Sequence, residues 1–177
     1  EKLNEKEILE EEKKIKKESM AIQRKVNKDN FTEKDYQSFV EYISHCKERL
    51  NKKQLKREDL AIIKKVVNIT YKYNDIIFYA KACIHLGQIA EAKKAVNSAR
   101  FSEDFSSEQK EKLNELSRKI IEAEKKKTAI IMLKNGRGVL EAAKSSGLSE
   151  IEVVRLNKKL LAKSRKGKSE EIVGSNR

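Results

Sequence analysis

Few residues of this chain belong to types that do chemistry by themselves. Its two histidines and two cysteines form two close pairs, His45 beside Cys46 and Cys83 two residues before His85, and together they would supply the four ligands of a tetrahedral zinc site. The spacing argues against it: the two cysteines stand 37 positions apart. Each cysteine also falls on the apolar stripe of its own helical pattern, so both read as reduced core residues of an intracellular protein. Gly136-Arg137-Gly138 is glycine-rich, yet no strand precedes it and no phosphate-loop lysine follows. There is no nucleophile-elbow motif and no acidic pair in an apolar setting that would tune it for proton transfer. The expectation is a chain that is not an enzyme and uses no metal, cofactor or small molecule.

Positive charge is what the chain has in quantity. Lysine and arginine number 41 against 28 acidic residues, for a net charge of +13. The excess is uneven, with nine basic and eight acidic residues over 1–30, sixteen and thirteen over 31–117, and sixteen and seven over 118–177. A basic C-terminal third is the electrostatic footprint that a polyanion partner requires. Its candidate contacts are Arg155, Lys158, Lys159, Lys163, Arg165 and Lys166. An arginine can grip a guanine edge with two hydrogen bonds, and a lysine can meet a phosphate.

The elements that must position these cations follow from periodicity. Proline is absent, aromatic residues make up 6% and charged residues 39%, a composition that favours amphipathic helices over sheets. Over 139–160, Val139, Leu140, Ala142 and Ala143 supply one apolar face and Val153, Leu156 and Leu160 a second. Between them Gly147 can take the left-handed conformation that stops a helix. Ser149 with Glu152 then forms a capping box that starts the next one, and Leu148 can staple against Val153. At about 100° per residue, the face of that second helix opposite its core holds Ile151, Val154, Arg155, Lys158, Ala162 and Arg165. Glu150 and Glu152 in its first turn would repel a phosphate, although carboxylates there also favour the helix itself.

Ala143, Gly147, Leu148, Val153 and Leu156, with the lead-in Leu133-x-x-Gly136 and Val139, resemble the turn and packing positions of helix-turn-helix domains of the resolvase, transposase and sigma-region-4 type. The resemblance covers residues 128–160 and implies binding to double-stranded DNA through a recognition helix, in a cytoplasmic protein of bacterial or phage origin. Tyr79, Ala80, Leu86-Gly87-Gln88, Ala92 and Ala99 resemble one tetratricopeptide unit. Its pattern does not recur about 34 residues earlier, where Lys53, Glu58 and Lys65 stand, so a single helical hairpin is expected rather than an array.

The remaining elements fall in order. Over 1–30, Ile8, Ile15 and Ile22 recur every seven residues while the companion positions Asn4, Glu11, Glu18 and Lys25 are polar, which predicts an exposed, projecting or loosely docked helix, with a coiled-coil dimer as the alternative. Thr32 caps a helix bearing Tyr36, Phe39, Val40, Ile43, Cys46 and Leu50, and a polar loop leads to a second with Leu60, Ile63, Val67 and Tyr71. Asn74 is the expected cap of the next helix, with Ile77, Ala80, Cys83, Ile84 and Leu86 on its face. Ser106 and Gln109 open a long one bearing Leu113, Leu116, Ile120 and Ala123, whose apolar stripe breaks at Lys125-Lys126-Lys127 and resumes at Ile130, Ile131 and Leu133. No apolar run approaches the length of a membrane span and no signal-peptide profile precedes the first element. The first residue is Glu1 rather than Met, so a trimmed chain or a fragment of a longer protein is expected.

The expectation is an all-α protein, a helical-hairpin (TPR-like) bundle followed by a C-terminal three-helix helix-turn-helix domain. Its parts are an exposed N-terminal helix over 1–30, a TPR-like body over 31–117 available to a protein partner or a homodimer, a helix-turn-helix over 118–163 and a basic flexible tail over 164–177. The function expected is that of a DNA-binding transcriptional regulator or accessory factor. The alternative is a non-catalytic helical protein-interaction module with a vestigial helix-turn-helix, in which Glu150, Ile151 and Val154 meet a protein.

Overall fold

The computed structural model describes residues 4–174, with side chains through residue 164. The described residues form eight helices and no strand: α1 Glu5–Val26, α2 Glu33–Asn51, α3 Asp59–Thr70, α4 Tyr73–His85, α5 Ile89–Arg100, α6 Ser107–Lys134, α7 Val139–Ser146 and α8 Glu150–Gly174. The protein is all-α. Its residues divide into two compact units, one ending at Ser117 and the other beginning at Arg118, and α6 starts in the first and ends in the second. Among the described residues no helix is long and apolar enough to cross a membrane.

In the first unit the starts of the helices follow the local sequence. Asn4 and Glu7 form a capping box on α1, and Thr32 and Asp35 form one on α2. The Thr32 hydroxyl accepts the Asp35 N–H at 3.2 Å, and Asp35 Oδ2 accepts the Thr32 N–H at 3.0 Å. Phe31 packs edge-on against Tyr36 and Phe39, a staple that fixes the direction in which the chain enters α2. Ser106 and Gln109 exchange the same reciprocal pair of bonds at the start of α6. By contrast α4 starts at Tyr73 and not after Asn74. Its N-cap Lys72 makes no side-chain capping bond, and the Lys72 carbonyl accepts the Asp75 and Ile76 N–H groups instead.

Helix α4 is the most enclosed, packed against α2, α3 and α5, with Ile76, Phe78, Tyr79, Ala80, Ala82 and Cys83 all buried. Gly87, at φ +77°, turns the chain from α4 into α5. Ala80, Ala92 and Ala99 are buried, and small residues there let the two helices lie close. Helix α3 stops where Tyr71 takes a left-handed conformation at φ +46°. A non-glycine residue pays roughly 1–2 kcal/mol for that, and stacking of the Tyr71 ring on Phe105 at a centroid distance of 5.4 Å, with Tyr73 edge-on at 6.0 Å, offsets it.

Three further expectations change. Helix α1 belongs to the first unit and packs against α2 and α3 rather than projecting. Ile22 is buried, and polar links that periodicity does not reveal pin the helix: Lys25 Nζ to Ser38 Oγ at 2.6 Å, Glu18 to His45, and Lys56 to Glu12 at 3.2 Å. On α2 the buried side is Phe39, Tyr42, Ile43, Cys46 and Arg49, while Tyr36 and Val40 face outward. The face is rotated because α1 and α4 both press on it, and the Arg49 guanidinium is taken inside, where its Nη2 donates to Cys46 Sγ at 3.0 Å and Nη1 lies 3.9 Å from Asp59 Oδ1. Finally, α8 continues as helix to Gly174 where a flexible tail was expected from residue 164. That segment has no proline to stop a helix and several lysines and glutamates that favour one, against the cost of Gly167.

The ionised cap at α2 gives a pH signature. The Thr32 backbone N–H, helped by the Thr32 hydroxyl and Lys28 and opposed by burial, holds the Asp35 carboxyl below its usual range. A carboxylate whose pKa is lower folded than unfolded adds stability that is complete above the unfolded value and is lost as pH falls through the folded one. The difference in urea stability between the wild type and Asp35→Asn is therefore expected to be steady at about pH 6–7 and to shrink below about pH 4. A gap undiminished at about pH 3 would remove the ionised cap from the account.

Candidate nucleic-acid interface

The second unit is built from the end of α6 with α7 and α8. Its core is small: Ala129 of α6, Ala142 and Ala143 of α7 and Val153 of α8 are buried, with Met132, Leu133, Val139, Leu148 and Leu156 packed around them. Three alanines among four buried residues mean that helix backbones, more than side chains, fill the centre. To this core α6 contributes the buried Ala129, while Ile131 turns outward, as does Leu140 on α7. A stripe of bulky side chains was expected at both places. Close approach of the helices leaves room only for alanine there and turns the larger residues out.

The corner between α7 and α8 is set by hydrogen bonds within five residues. Gly147 stands at φ +72° and its N–H reaches back to the Ala143 carbonyl at 2.9 Å. Ser146, buried, donates to the Ala143 carbonyl at 3.4 Å and accepts the Leu148 N–H at 3.3 Å. Ser149 then caps α8: its hydroxyl accepts the Glu152 N–H at 3.4 Å and donates to Glu152 Oε2 at 2.7 Å, and that oxygen also accepts the Ser149 N–H at 3.0 Å. Those bonds from the Ser149 hydroxyl and backbone, then the charges of Lys126 and Arg155, hold the Glu152 carboxyl below its usual range. Glu152 is thus occupied by the cap. Glu150 is exposed and takes no part in the capping bonds.

With Val153 directed into the core, rotation of about 100° per residue sorts the outer side of α8. Ile151, Arg155, Lys158 and Ala162 share the sector opposite the core. Lys159 and Lys163 lie on one flank, and Val154 with Leu161 on the other. The four cations Arg155, Lys158, Lys159 and Lys163 are all exposed. They form a band that wraps from the outward sector onto one flank rather than a single line. The side chains of Arg165 and Lys166 lie outside the described residues. The exposed apolar residues are the feature that periodicity alone did not bring out in full: on the flank Val154 is 38% exposed and Leu161 53%, and Ile151, 67% exposed, lies among the cations of the outward sector.

The lysine run of α6 also reaches this corner. Lys125 Cε lies 3.7 Å, and its Nζ 3.9 Å, from where a Cβ on Gly147 would stand. Lys126, paired with Glu122, is near enough to act on Glu152. In the sequence these lysines read only as an interruption of an apolar stripe. Residues more than twenty positions apart meet here, and no local pattern signals it. The expected histidine and cysteine pairs lie elsewhere, in the first unit. His45 is exposed against Glu18, Cys46 and Cys83 are buried, and burial raises both thiols, Cys46 to about 11.

Comparison with known protein families, with curated proteins and with solved structures finds nothing that matches this chain. What the described residues define is an all-helical protein whose basic second unit presents α8 on a tightly specified corner.

Gly147→Ala tests that corner. The added methyl meets only the flexible end of Lys125, so the cost is that of the left-handed backbone, roughly 1–2 kcal/mol. Hydrogen exchange of the α7 and α8 amides is expected to speed up accordingly, with the amides of α2–α5 unchanged. Unchanged exchange in α7 and α8 would mean that the corner does not depend on glycine.

Proposed function

We propose that the chain is a DNA-binding protein, a transcriptional regulator or DNA-binding accessory factor, in which α7, the Gly147 turn and α8 act as a helix-turn-helix and α8 is the recognition helix. The observation that carries the reading is the exposed cation band on the one helix whose direction the Gly147 corner and Ser149 cap define. Residues 118–177 hold sixteen of the basic and only seven of the acidic residues, which favours attraction to phosphate. Arg155 and Lys158 are assigned to base edges and adjoining phosphates, Lys159 and Lys163 to backbone contacts along the flank, and Lys125 and Lys126 to phosphates beside the turn. Arg165 and Lys166 would extend the same band. No catalytic step is proposed.

The exposed apolar flank favours a second reading, a helical protein-interaction module in which Ile151, Val154 and Leu161 form the centre of a protein contact. The two readings use different side chains of α8, with Ile151 bordering the cations and Val154 and Leu161 on the flank away from them. In fluorescence anisotropy with a mixed-sequence duplex at about 50–200 mM salt, the first predicts that log affinity falls linearly with log salt, with a slope near −0.9 per phosphate neutralised. Arg155→Ala/Lys158→Ala is expected to weaken binding and flatten the slope by about 0.9 for each phosphate that the variant leaves without a cation. Val154→Glu should leave the slope unaltered. Absence of binding at low salt would overturn the DNA reading, and loss of self-association in sedimentation after Val154→Glu would favour the second.

A further inference from the structure

We infer that the first unit carries a binding cleft for an amphipathic cation, a small ligand with an apolar chain and an ammonium head, between the N-terminal half of α1 and the start of α3. The site lies wholly within that unit, uses no residue of α7 or α8, and stands independently of the nucleic-acid reading.

The cleft comes from a helix seam that closes at one end only. Ile8, Ile15 and Ile22 follow one line along α1, yet Ile22 is buried, Ile15 half-buried and Ile8 46% exposed. Toward its N-terminus α1 therefore parts from its neighbours, and a cleft of about 620 Å³ opens, floored by Ile8, Ile15 and Ile62. That volume lies within the range of small-molecule sites, about 300–1,000 Å³, and drying an apolar floor of this kind is what drives a hydrophobic chain into such a site.

Charge selects the ligand's head. In a chain of net charge +13, this cleft is lined by four carboxylates, Glu11, Glu12, Glu58 and Asp59, against Lys16 and Lys56. Two of the four are engaged already. Glu12 pairs with Lys56 at 3.2 Å, and Asp59 accepts the Lys56 N–H at 2.8 Å and faces the buried Arg49 at 3.9 Å. Glu11 and Glu58 have no hydrogen bond or ion pair among the described residues, and only Lys16 stands against them with its charge unpaired. Ser19 also lines the cleft, but its hydroxyl is buried beside the Tyr42 phenol and takes no part in holding the head. An anionic head would meet Glu11 and Glu58 instead. The sequence gives no sign of the site because its walls come from residues 8–19 and 54–62, which only the fold brings together.

The probes are octylammonium chloride and sodium octanoate, which share an apolar tail and differ in the sign of the head, titrated into the full ¹⁵N-labelled chain and followed by amide shifts. Octylammonium is expected to shift amides of the N-terminal half of α1 and of residues 54–62, and to bind at least about tenfold more tightly than octanoate. Glu11→Gln/Glu58→Gln should weaken it roughly tenfold. Ile8→Lys should abolish it, whereas Leu9→Lys, on the same helix and 51% exposed but outside the cleft, should leave it intact. Both positions are on the surface, so each variant is expected to fold, and the spectra report whether it has. Absent or scattered shifts, octanoate binding as tightly as octylammonium, or binding that survives Ile8→Lys would each overturn the proposal.

Discussion

Everything that the second unit presents to its surroundings depends on one backbone conformation, the left-handed Gly147 between α7 and α8. A corner made over so few residues leaves α8 little choice of direction. The Ser149–Glu152 cap fixes the residue at which the helix begins, and Val153, one residue past the cap's glutamate, enters the core. Once the start and one buried residue are fixed, the helical period assigns every later side chain to a side. Moving the start by one residue would turn the helix by about 100° and carry Arg155 to a flank. The cations thus owe their arrangement to a glycine and a serine that carry no charge.

The first unit rests on a different constraint. It buries an arginine: Arg49 lies among Tyr42, Cys46 and Asp59, with its guanidinium 5.8 Å from the Tyr42 ring centroid. Burial disfavours the guanidinium charge, but Cys46, Asp59 and Tyr42 around it more than offset this and hold its pKa above the ordinary value. Even so, Arg49 Nε has no hydrogen-bond partner. Burial also raises the Cys46 thiol, to about 11, and the Tyr42 phenol. A polar knot of this type often contributes less to stability than a well-packed apolar one, because burying a charge costs desolvation. The open end of α1 lies beside the same knot, through Ser19 and Asp59.

The two sides of α8 make different demands on a partner. A band of cations can hold phosphates through long, flexible side chains with little need for a precise fit. An apolar flank gains only when a complementary surface excludes water from it. Both can operate in one protein, with α8 lying on a polyanion along one side and against a protein along the other. The exposed Phe101, with the Arg100 guanidinium 4.8 Å from its ring centroid, is a further apolar position on the first unit that a partner could cover.

Taken alone, the sequence determined the features that arise within a few residues of one another. These include the all-helical class, the caps at Thr32, Ser106 and Ser149, the glycine corners at 87 and 147, and the exposure of Arg155, Lys158, Lys159 and Lys163. Each follows from local hydrogen bonding or from a 3.6-residue period, and needs no knowledge of what lies across the core. Tertiary structure alone decided the docking of α1, the inward turn of Tyr42 and Arg49, the outward turn of Tyr36, Val40, Ile131 and Leu140, and the meeting of Lys125 with the Gly147 corner. In these places several helices compete for one surface. Which side of an amphipathic helix is buried is then set by the partners' size and by how closely the backbones approach, and that information is spread over residues far apart in the chain.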